Sequence, residues 1–400
     1  MGKRRTRHVY LVVASLCTVS ATASADPLRL RADAFAEARA PAGLLVLQGQ
    51  DKIRPWIDAE AMVWTGGTGA AGSSETGAAG DVTVLTLRLR EPHGYGELRA
   101  GRFVVATGAI RPVHLDGVSL LARAPWGTTV ETYGGVPVVP RFGEREYESA
   151  SGVRVAQGVG STANLGVSYS QRHTKHGGSA QEELGADFAA VPVPWLDLAA
   201  KSAYDVITPG VAEASLSSAL RLGDVRAEAF AQHRSPGRLL PATSLFSVLG
   251  DFPSQSLGAT VRWRAAPRLD LLGSGAMQRA SDEIGMNAWL RSVLRLDDRG
   301  EGSVGLEVRR QHVSTARWTG VRTIVSQPIA GGLRYSTELE LAFPDEPDGR
   351  GSVWPWGLMA LAWRSSGWEV AAAVEGASSP EHRYETNALA RVSRVFGGGP

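Results

Sequence analysis

The sequence predicts an all-β protein built as a single antiparallel transmembrane β-barrel. The expected number of strands is about 18, within a range of 16 to 20. Three observations predict this fold. Apolar and polar residues alternate with a period of two from the first part of the chain to the last. Short turns alternate with longer polar stretches. Beyond the amino-terminal region, no apolar run is long enough for a membrane helix.

The amino-terminal residues predict an export signal. Basic residues precede the apolar stretch 9–19, and the small residues Ala23-Ser24-Ala25 follow it. This order is typical of a cleaved secretory signal peptide, and the apolar stretch is short for a membrane anchor. We therefore expect a signal peptide at 1–25 and a barrel domain at 26–400. Cys17, the one cysteine of the chain, lies in the signal, so the mature chain should have none.

The alternation is clear in the stretch LRYSTELELAF. Every second residue from Leu333 is apolar or small, whereas Arg334, Glu338 and Glu340 occupy the other face of the predicted strand. Eight segments share this two-faced pattern, and a helical period fits none of them well: 28–39, 195–205, 224–233, 257–264, 303–311, 333–343, 367–376 and 383–396.

A soluble β-sandwich also alternates, so the two faces must be compared further. The polar faces carry dense opposite charges, as at Arg29, Arg31, Asp33 and Glu37. The apolar faces often extend over five or six positions and are rich in alanine, and tilted strands with a rise of about 3.3 Å per residue would match a hydrocarbon core. Several tryptophans stand at or near predicted strand ends, where aromatic girdles fall in barrels: Trp126, Trp195, Trp318, Trp354 and Trp368.

The connections favour a barrel with two different ends. Tight turn signals occur at 41–43, 222–224, 266–267, 297–300, 330–332 and 365–367. Longer irregular stretches occur at 66–80, 171–180, 233–256 and 344–351. A repeat of roughly 20 residues per strand and turn gives the strand number stated above.

These features resemble Gram-negative outer-membrane β-barrels of porin-like type. The resemblance rests on the signal, the alternating strands and the last segment, ALARVSRVF, which ends in the aromatic Phe396 before 397–400. The stretch 98–138, in which a Gly-Arg strand leads into the dipeptide Asp116-Gly117 as a turn, also has this look. The resemblance implies outer-membrane lipid and the barrel assembly machinery as partners.

No chemistry-bearing motif stands out. His114 with Asp116, and Ser168 and Ser170 with His173, fit polar strand positions better than an active site. His173 and His176 lack carboxylates that would complete a metal site. The glycine-rich stretch 66–80 has no lysine of a phosphate loop. A formal net charge of +2 gives no reason to expect nucleic acid. We predict no catalytic residue, no metal and no cofactor.

The sequence favours a porin-like channel for passive diffusion of small polar solutes or ions. The alternative is a non-conducting barrel that acts as scaffold, adhesin or docking partner, and a barrel enzyme is a distant third. The loop 234–256 is too apolar for a solvated loop, so it either folds into the pore or packs over the rim or another subunit; a short helix could form at 242–249. The sequence leaves the solute and the oligomeric state open. The candidate pore-lining residues are Arg29, Arg31, Asp33, Glu37, Asp197, Lys201, Arg226, Glu228, Arg262, Arg264, Arg309, Arg334, Glu338 and Glu340.

Overall fold

The structure is a computed structural model of the chain. It describes residues 29–38, 42–68, 77–138, 147–175, 178–235, 254–280, 283–313, 316–347, 351–378 and 384–396. None of the described residues forms a helix long and apolar enough to cross a membrane.

The described residues form 22 β-strands. In chain order they are β1 Arg29–Glu37, β2 Ala42–Arg54, β3 Ile57–Thr68, β4 Gly77–Arg90, β5 Gly96–Val105, β6 Val113–Arg123, β7 Thr128–Pro137, β8 Tyr147–Val159, β9 Ala163–Thr174, β10 Ser179–Val193, β11 Leu196–Asp205, β12 Gly210–Leu222, β13 Val225–Arg234, β14 Ser254–Ala266, β15 Leu269–Ala280, β16 Glu283–Arg295, β17 Ser303–Val313, β18 Ala316–Ala330, β19 Leu333–Pro344, β20 Trp354–Ser365, β21 Trp368–Ala377 and β22 Glu385–Phe396.

The strands close into one up-and-down barrel. Each strand pairs antiparallel with the next along the chain, and β1 pairs antiparallel with β22, from Leu30 opposite Phe396 to Glu37 opposite Leu389. Closure pairs the backbone groups of both terminal strands, so the sheet has no free edge. The predicted fold class is confirmed, with 22 strands where the sequence suggested about 18.

Two features of the chain explain the larger strand number. Several turns consist of two residues, such as Pro55-Trp56 between β2 and β3, so a strand with its turn takes less chain than assumed. In β5 and β6, apolar residues also occupy the face opposite the lipid side, as Phe103 and Leu115 do. That placement blurs the period of two by which strands were recognised.

The two faces of the sheet differ in chemistry. Large apolar side chains such as Leu257 and Leu339 are about 60% exposed and point away from the charged residues that alternate with them. Directly paired residues of antiparallel strands share a face, so the register carries this division around the barrel. We call the apolar side the outer face and the polar side the inner face.

The two ends of the barrel also differ. Turns after the even-numbered strands have two to five residues, except for the connection 296–302, and most connections after the odd-numbered strands are longer, including 69–76, 106–112 and 235–253. Because β1 starts and β22 ends at the short-turn end, both termini of the barrel lie there. In outer-membrane barrels the short turns face the periplasm.

The seam between the first and last strands is held by more than backbone pairing. Asp33 of β1 lies 2.7 Å from Arg31 and 3.4 Å from Arg391 of β22, and it accepts a hydrogen bond from the Ser393 hydroxyl at 2.5 Å. Arg391 also lies 3.3 Å from Glu369 of β21. This network ties three consecutive strands together on the inner face at the point of closure.

Candidate functional site

The hairpin of β5 and β6 leaves the barrel wall part-way along its length. The β4–β5 ladder ends at Leu85 opposite Arg102, whereas β5 and β6 stay paired up to Val105 opposite Val113. We call residues 101–117 the inner hairpin, because its far half and the connection 106–112 pack on the inner face.

A row of glycines lies where the inner hairpin departs. Gly101 pairs with Gly117, and Gly117 pairs with Gly135 of β7. Gly101 has a φ of +119°, and an added Cβ would collide with the Leu85 carbonyl. A Cβ on Gly117 would lie 2.6 Å from the Leu115 side chain, and one on Gly135 would lie 2.7 Å from the Cα of Gly117. Only glycine permits three backbones to approach this closely, so the bend is encoded in these positions.

An apolar layer fills the space between the inner hairpin and the wall. Its members come from β5, β6, β7 and β8, and each is at most 4% exposed: Phe103, Val105, Val113, Leu115, Tyr133 and Ala150. The Tyr133 hydroxyl is within hydrogen-bond distance of Ser170 Oγ at 2.9 Å, which satisfies its polar end. Burying each of the four hairpin side chains, Phe103, Val105, Val113 and Leu115, stabilises the docked hairpin by about 1.5–3 kcal/mol.

The tip of the inner hairpin reaches the inner face of β9 and β10. Ala109 and Ile110 are 4% exposed, and each lies 3.2 Å from where a Cβ on Gly185 would stand. Gly185 shares its face with Glu183 and alternates with Leu184, which is 52% exposed on the outer face. The tip therefore sits inside the barrel and covers β9 and β10.

An ion pair on the inner face of the wall lies directly against the tip. Arg154 of β8 and Asp187 of β10 are joined by two hydrogen bonds, of 3.0 and 2.5 Å. A Cβ on Gly166 of β9 would stand 2.6 Å from both side chains, and a Cβ on Gly108 of the tip would also collide with the pair. The charged pair is thus held between a glycine of the wall and a glycine of the tip.

A second ion pair anchors the tip directly. Arg111 donates from Nε to Glu183 Oε1 at 2.8 Å and also contacts it through Nη2. The Glu183 side chain is 2% exposed, and Gln181 donates to the same carboxylate at 2.8 Å. Breaking a buried pair of this kind costs about 3–5 kcal/mol, because one charge is left without compensation.

Polar contacts close the gap between the inner hairpin and β4. Arg102 forms two hydrogen bonds with Asp116, at 2.7 and 2.9 Å, and a third with Asp81 of β4 at 3.1 Å. His114 donates from Nε2 to the Thr83 carbonyl at 2.7 Å. These side chains replace the ladder hydrogen bonds that β4 and β5 no longer make.

Twelve of the fourteen predicted pore-lining residues make ion pairs or hydrogen bonds on the inner face, some within a strand and some between neighbouring strands. Lys201 lies 2.9 Å from Glu213, Arg226 lies 2.5 Å from Glu228, and Asp197 contacts Arg221. The remaining contacts join Arg31 to Asp33, Glu37 to Asn387, Arg262 and Arg264 to Asp270, Arg309 to Glu307 and Glu340, and Glu338 to Arg322. Arg29 and Arg334 share this face by register. That the fourteen residues line a pore stays a prediction.

The covered and uncovered parts of the inner face differ in exposure. Beneath the inner hairpin, the Glu183 side chain is 2% exposed, whereas the Arg226 and Arg262 side chains farther around the wall are 54% and 52% exposed. The described residues therefore leave space beside the wall of β13 and β14. Sequence reasoning missed the contacts of Arg111 and Arg154, because their partners are 72 and 33 residues away along the chain.

The structure does not bring together the residues that the sequence analysis considered as catalytic candidates. Asp116 engages Arg102 rather than His114, which bonds to a backbone carbonyl. By alternation, His173 lies on the face opposite Ser168 and Ser170. Among the described residues, no group of His, Cys, Asp or Glu is placed to hold a metal ion.

Three further expectations from the sequence have different outcomes. The dipeptide Asp116-Gly117 was expected in a turn, but it lies within β6, where the glycine serves the bend. His176 and most of the loop 234–256, with the helix expected at 242–249, lie outside the described residues. Trp318 and Trp354 stand near strand ends as expected, but on the inner face, where a lipid girdle cannot form.

Comparisons with known proteins bear on the fold. No protein-family model and no curated protein matches the chain. Among solved structures, the translocation pore of the P pilus usher PapC has a TM-score of 0.54 at 10% identity, covering 93% of this chain and 99% of that one. The ferric enterobactin receptor PfeA has a TM-score of 0.57 at 9% identity, covering 94% and 82%. The siderophore receptor PirA from Pseudomonas aeruginosa has a TM-score of 0.52 at 9% identity, covering 94% and 81%.

At these identities the likeness concerns the fold. It agrees with the closed antiparallel topology, the apolar outer face and the charged inner face. The chain therefore has the fold of outer-membrane β-barrels, of the same class as the pores and receptors with which it aligns.

Proposed function

We propose that the protein is an outer-membrane channel through which small polar solutes or ions diffuse passively, narrowed on one side by the inner hairpin. The exposure contrast on the inner face carries this proposal. Inner-face residues along the length of β13 are accessible to water, because Arg226 and Gln232 are exposed and the Glu228 side chain between them is 44% exposed, whereas a filled barrel would bury the middle of this wall. Diffusion down a gradient needs no catalytic residue and no cofactor.

The paired charges make weak ion selectivity the expected behaviour. Along the uncovered wall, basic side chains lie beside acidic ones, as Arg262 and Arg295 lie beside Asp270. A wall with alternating signs presents neither a cationic nor an anionic ring, and such rings set ion preference in channels. Width at the inner hairpin should therefore limit passage more than charge does.

The proposed location follows from the fold and from the amino-terminal sequence. We place the mature protein in the outer membrane after cleavage near Ala25, with outer-membrane lipid against the outer face and the barrel assembly machinery as its folding partner. The fourteen pore-lining candidates then face water inside the barrel.

Planar-bilayer recording of the refolded mature protein tests the channel. Discrete, ohmic conductance steps with a small preference between potassium and chloride are expected. Correctly folded protein that inserts but carries no current would reject the channel and favour the non-conducting barrel, a scaffold, adhesin or docking partner.

The inner hairpin can be tested as the constriction by releasing it and then locking it. Arg111→Gln removes the cation that Glu183 holds, so the tip should loosen from β9 and β10 while the apolar layer stays packed, and the conductance should rise. Ala109→Cys with Gly185→Cys, made together with Ser168→Ala to remove the Oγ that would lie 2.4 Å from the new Cβ, places two Cβ atoms 3.2 Å apart, slightly below the separation of about 3.5–4.5 Å in a disulfide. Added to Arg111→Gln, this pair should restore the original conductance when oxidised and lose it again under reductant.

Two results would show that the constriction is not the inner hairpin. Unchanged conductance in Arg111→Gln, together with no effect of the cross-link, would show that the hairpin does not limit passage. Replacement of 236–253 by Gly-Gly, which leaves enough chain for a tight hairpin between β13 and β14, tests the loop hypothesis in the same assay, and a larger conductance in that variant alone would identify the loop as the narrow part.

A further inference from the structure

Four tryptophans lie together on the inner face of the five strands β16–β20. One row of paired residues across these strands reads Trp289, Arg309, Gly320, Ala342 and Trp354, and the next reads Arg291, Glu307, Arg322, Glu340 and Trp356. Trp318, two residues before Gly320 on β18, shares the face. We call these four indoles, with the charged residues between them, the tryptophan patch.

The tryptophan patch has a recessed surface. Gly320 has no side chain, so the Trp318 ring can lie over it, 2.7 Å from where a Cβ would stand. Beside it, a cavity of about 450 Å³ is lined by Arg322, Glu340, Ala342, Trp354, Pro355, Trp356, Ala377 and Ser378. Its volume falls within the range of small-molecule sites. It lies at the end of the barrel that carries the longer connections, because Trp354 begins β20 there.

The charged side chains of the tryptophan patch are balanced. Its three arginines are each engaged with a carboxylate: Arg291 and Arg309 with Glu307, Arg309 also with Glu340, and Arg322 with Glu338 of the next row. With its arginines already neutralised, the patch has no reason to prefer an anionic ligand. It offers instead fixed donors and acceptors at defined places.

Arginine side chains already lie over two of the indole rings, which argues against a cationic ligand. The Arg322 guanidinium lies 5.5 Å from the centroid of the Trp356 ring, and Arg291 lies 5.5 Å from that of Trp289. These contacts already supply a cation to two of the four indoles, which disfavours the capture of a ligand cation by an aromatic cage. The Trp354 ring has no such cation among the contacts of the described residues.

Two hydrogen-bond donors of the tryptophan patch have no acceptor among the described residues. They are the Trp354 indole N–H and the Arg322 Nε–H, and both are shielded from bulk water. A buried donor left without a partner is unfavourable, so a ligand oxygen that meets it after a small side-chain rotation would gain a hydrogen bond. Both residues line the cavity.

We propose that the tryptophan patch is a binding subsite for a neutral saccharide. A sugar ring presents an apolar C–H face that stacks on an indole and a rim of hydroxyl groups that both donate and accept. The Trp354 ring supplies the stacking surface, its N–H and Arg322 Nε supply donors, and Glu340 supplies an acceptor. A neutral ring of hydroxyl groups fits a balanced set of charges, whereas an anion or a cation does not.

The proposal rests on the channel proposed above only for access, and binding can be measured without conduction. Isothermal titration calorimetry of the refolded protein in a non-glycosidic detergent should show saturable binding of maltotriose or cellotriose. Trigalacturonate and choline, as anionic and cationic probes, should bind weakly or not at all. In bilayers the neutral sugars should also cause brief, concentration-dependent current blocks.

Matched variants locate the site. Trp354→Ala should weaken trisaccharide binding by about three- to tenfold through the lost stacking, and more if the N–H also bonds the sugar. Trp263→Ala removes an indole from the outer face and should leave binding unchanged. Trp354→Phe keeps a ring but loses the N–H, so it should bind with intermediate affinity. Thermal unfolding checks that each variant is folded.

The outcomes separate the two proposals. Saccharide binding without conductance would retain the subsite and reject the channel, whereas conductance without saccharide binding would retain the channel and reject the subsite. Tighter binding of trigalacturonate or choline than of the neutral sugars, or equal losses in the Trp354 and Trp263 variants, would also overturn the subsite.

Discussion

Single backbone positions decide how the inner hairpin is docked. Gly108 has a φ of +59°, and a Cβ there would collide with Asp187 and Arg154. Gly160, in the turn between β8 and β9, has nearly the same φ, +57°, but open space around it. The two glycines share a backbone requirement and differ only in what surrounds them, so they form a natural pair for substitution.

Gly108→Ala and Gly160→Ala should therefore have different consequences. Both variants place a side chain in the left-handed region, at a cost of about 1–2 kcal/mol. Only Gly108→Ala also pushes the tip away from the Arg154–Asp187 pair, so only this variant should change single-channel conductance. Equal conductance in both variants would show that the tip adjusts without leaving the wall.

The turn between β4 and β5 depends on one carboxylate. Glu91 accepts hydrogen bonds from the backbone N–H groups of His93 and Tyr95, at 2.9 and 3.0 Å, and contacts the His93 ring. These bonds favour the charged form, the His93 backbone bond most, and lower the pKa of Glu91 to about 2. A lowered pKa in the folded state stabilises the fold above the unfolded pKa of 4.5.

A pH series on Glu91→Gln tests this turn. The wild-type protein should be more stable than the variant by a constant margin at neutral pH. As pH falls from 4.5 towards 2, the margin should shrink, because the stabilisation is lost when the carboxylate is protonated in the folded state. Urea unfolding in detergent at several pH values measures the margin. A margin that does not depend on pH would contradict the charged-form hydrogen bonds.

A single strand shows the division between lipid and lumen most clearly. On β19, Leu339 is 58% exposed on the outer face, whereas Glu338 contacts Arg322 on the inner face. Register with β18 places Glu338 opposite Ile324 and Leu339 opposite Thr323, so the two neighbours cannot share a face. The pattern read from the sequence is the one that the strand uses.

Adjacent substitutions on β19 should separate the faces. Leu339→Arg puts a charge against hydrocarbon and should lower the free energy of unfolding in lipid by roughly 2–4 kcal/mol if the site is at mid-depth. Glu338→Gln keeps the size in a wet interior and should cost less, while leaving Arg322 uncompensated and shifting ion preference towards anions. Unfolding in liposomes and reversal potentials measure the two effects.

A cysteine scan of β19 reads the same division directly, because the mature chain should have no cysteine of its own. A lipid-soluble maleimide should label positions 333, 339 and 341 best. A water-soluble maleimide should favour positions 334, 336, 338 and 340. Odd positions that resist the lipid-soluble probe and behave as a dry core would refute the membrane assignment of this strand.

For the molecule as a whole, closure is the property with the clearest consequence. The β1–β22 pairing leaves no free strand edge, and the seam network holds Asp33, Arg391 and Glu369 together. Closed barrels often resist unfolding by detergent, because opening them exposes a whole row of backbone groups at once. Stability and location can therefore be examined in one preparation.

The mature protein should sediment with outer membranes and should need detergent for extraction. On gels it should migrate differently with and without boiling, because the unboiled barrel stays folded. Recovery as a freely soluble periplasmic protein would contradict the membrane barrel. Double replacement of Asp33 and Glu369 by alanine, which removes both acids of the seam, should lower the temperature at which the gel shift occurs.

The alternation of residues by itself determined the fold class, the two faces and the ion-bearing side of strands such as β13, β14 and β19. A period of two assigns a side chain to a face without any knowledge of the neighbouring strand. It also placed Arg226 with Glu228 and Arg262 with Arg264 on one face. Strand number was underestimated where apolar residues occupy both faces, as in β5 and β6.

Only the tertiary structure decided what fills the barrel and what is left open. The inner hairpin depends on contacts such as that between Arg111 and Glu183, which no local pattern predicts because the partners are distant in sequence. The register of β16–β20 likewise decided that Trp354 joins Trp289 inside the barrel rather than a lipid girdle. The reason is physical: alternation encodes the direction of a side chain, whereas its partner depends on how 22 strands are aligned when the barrel closes.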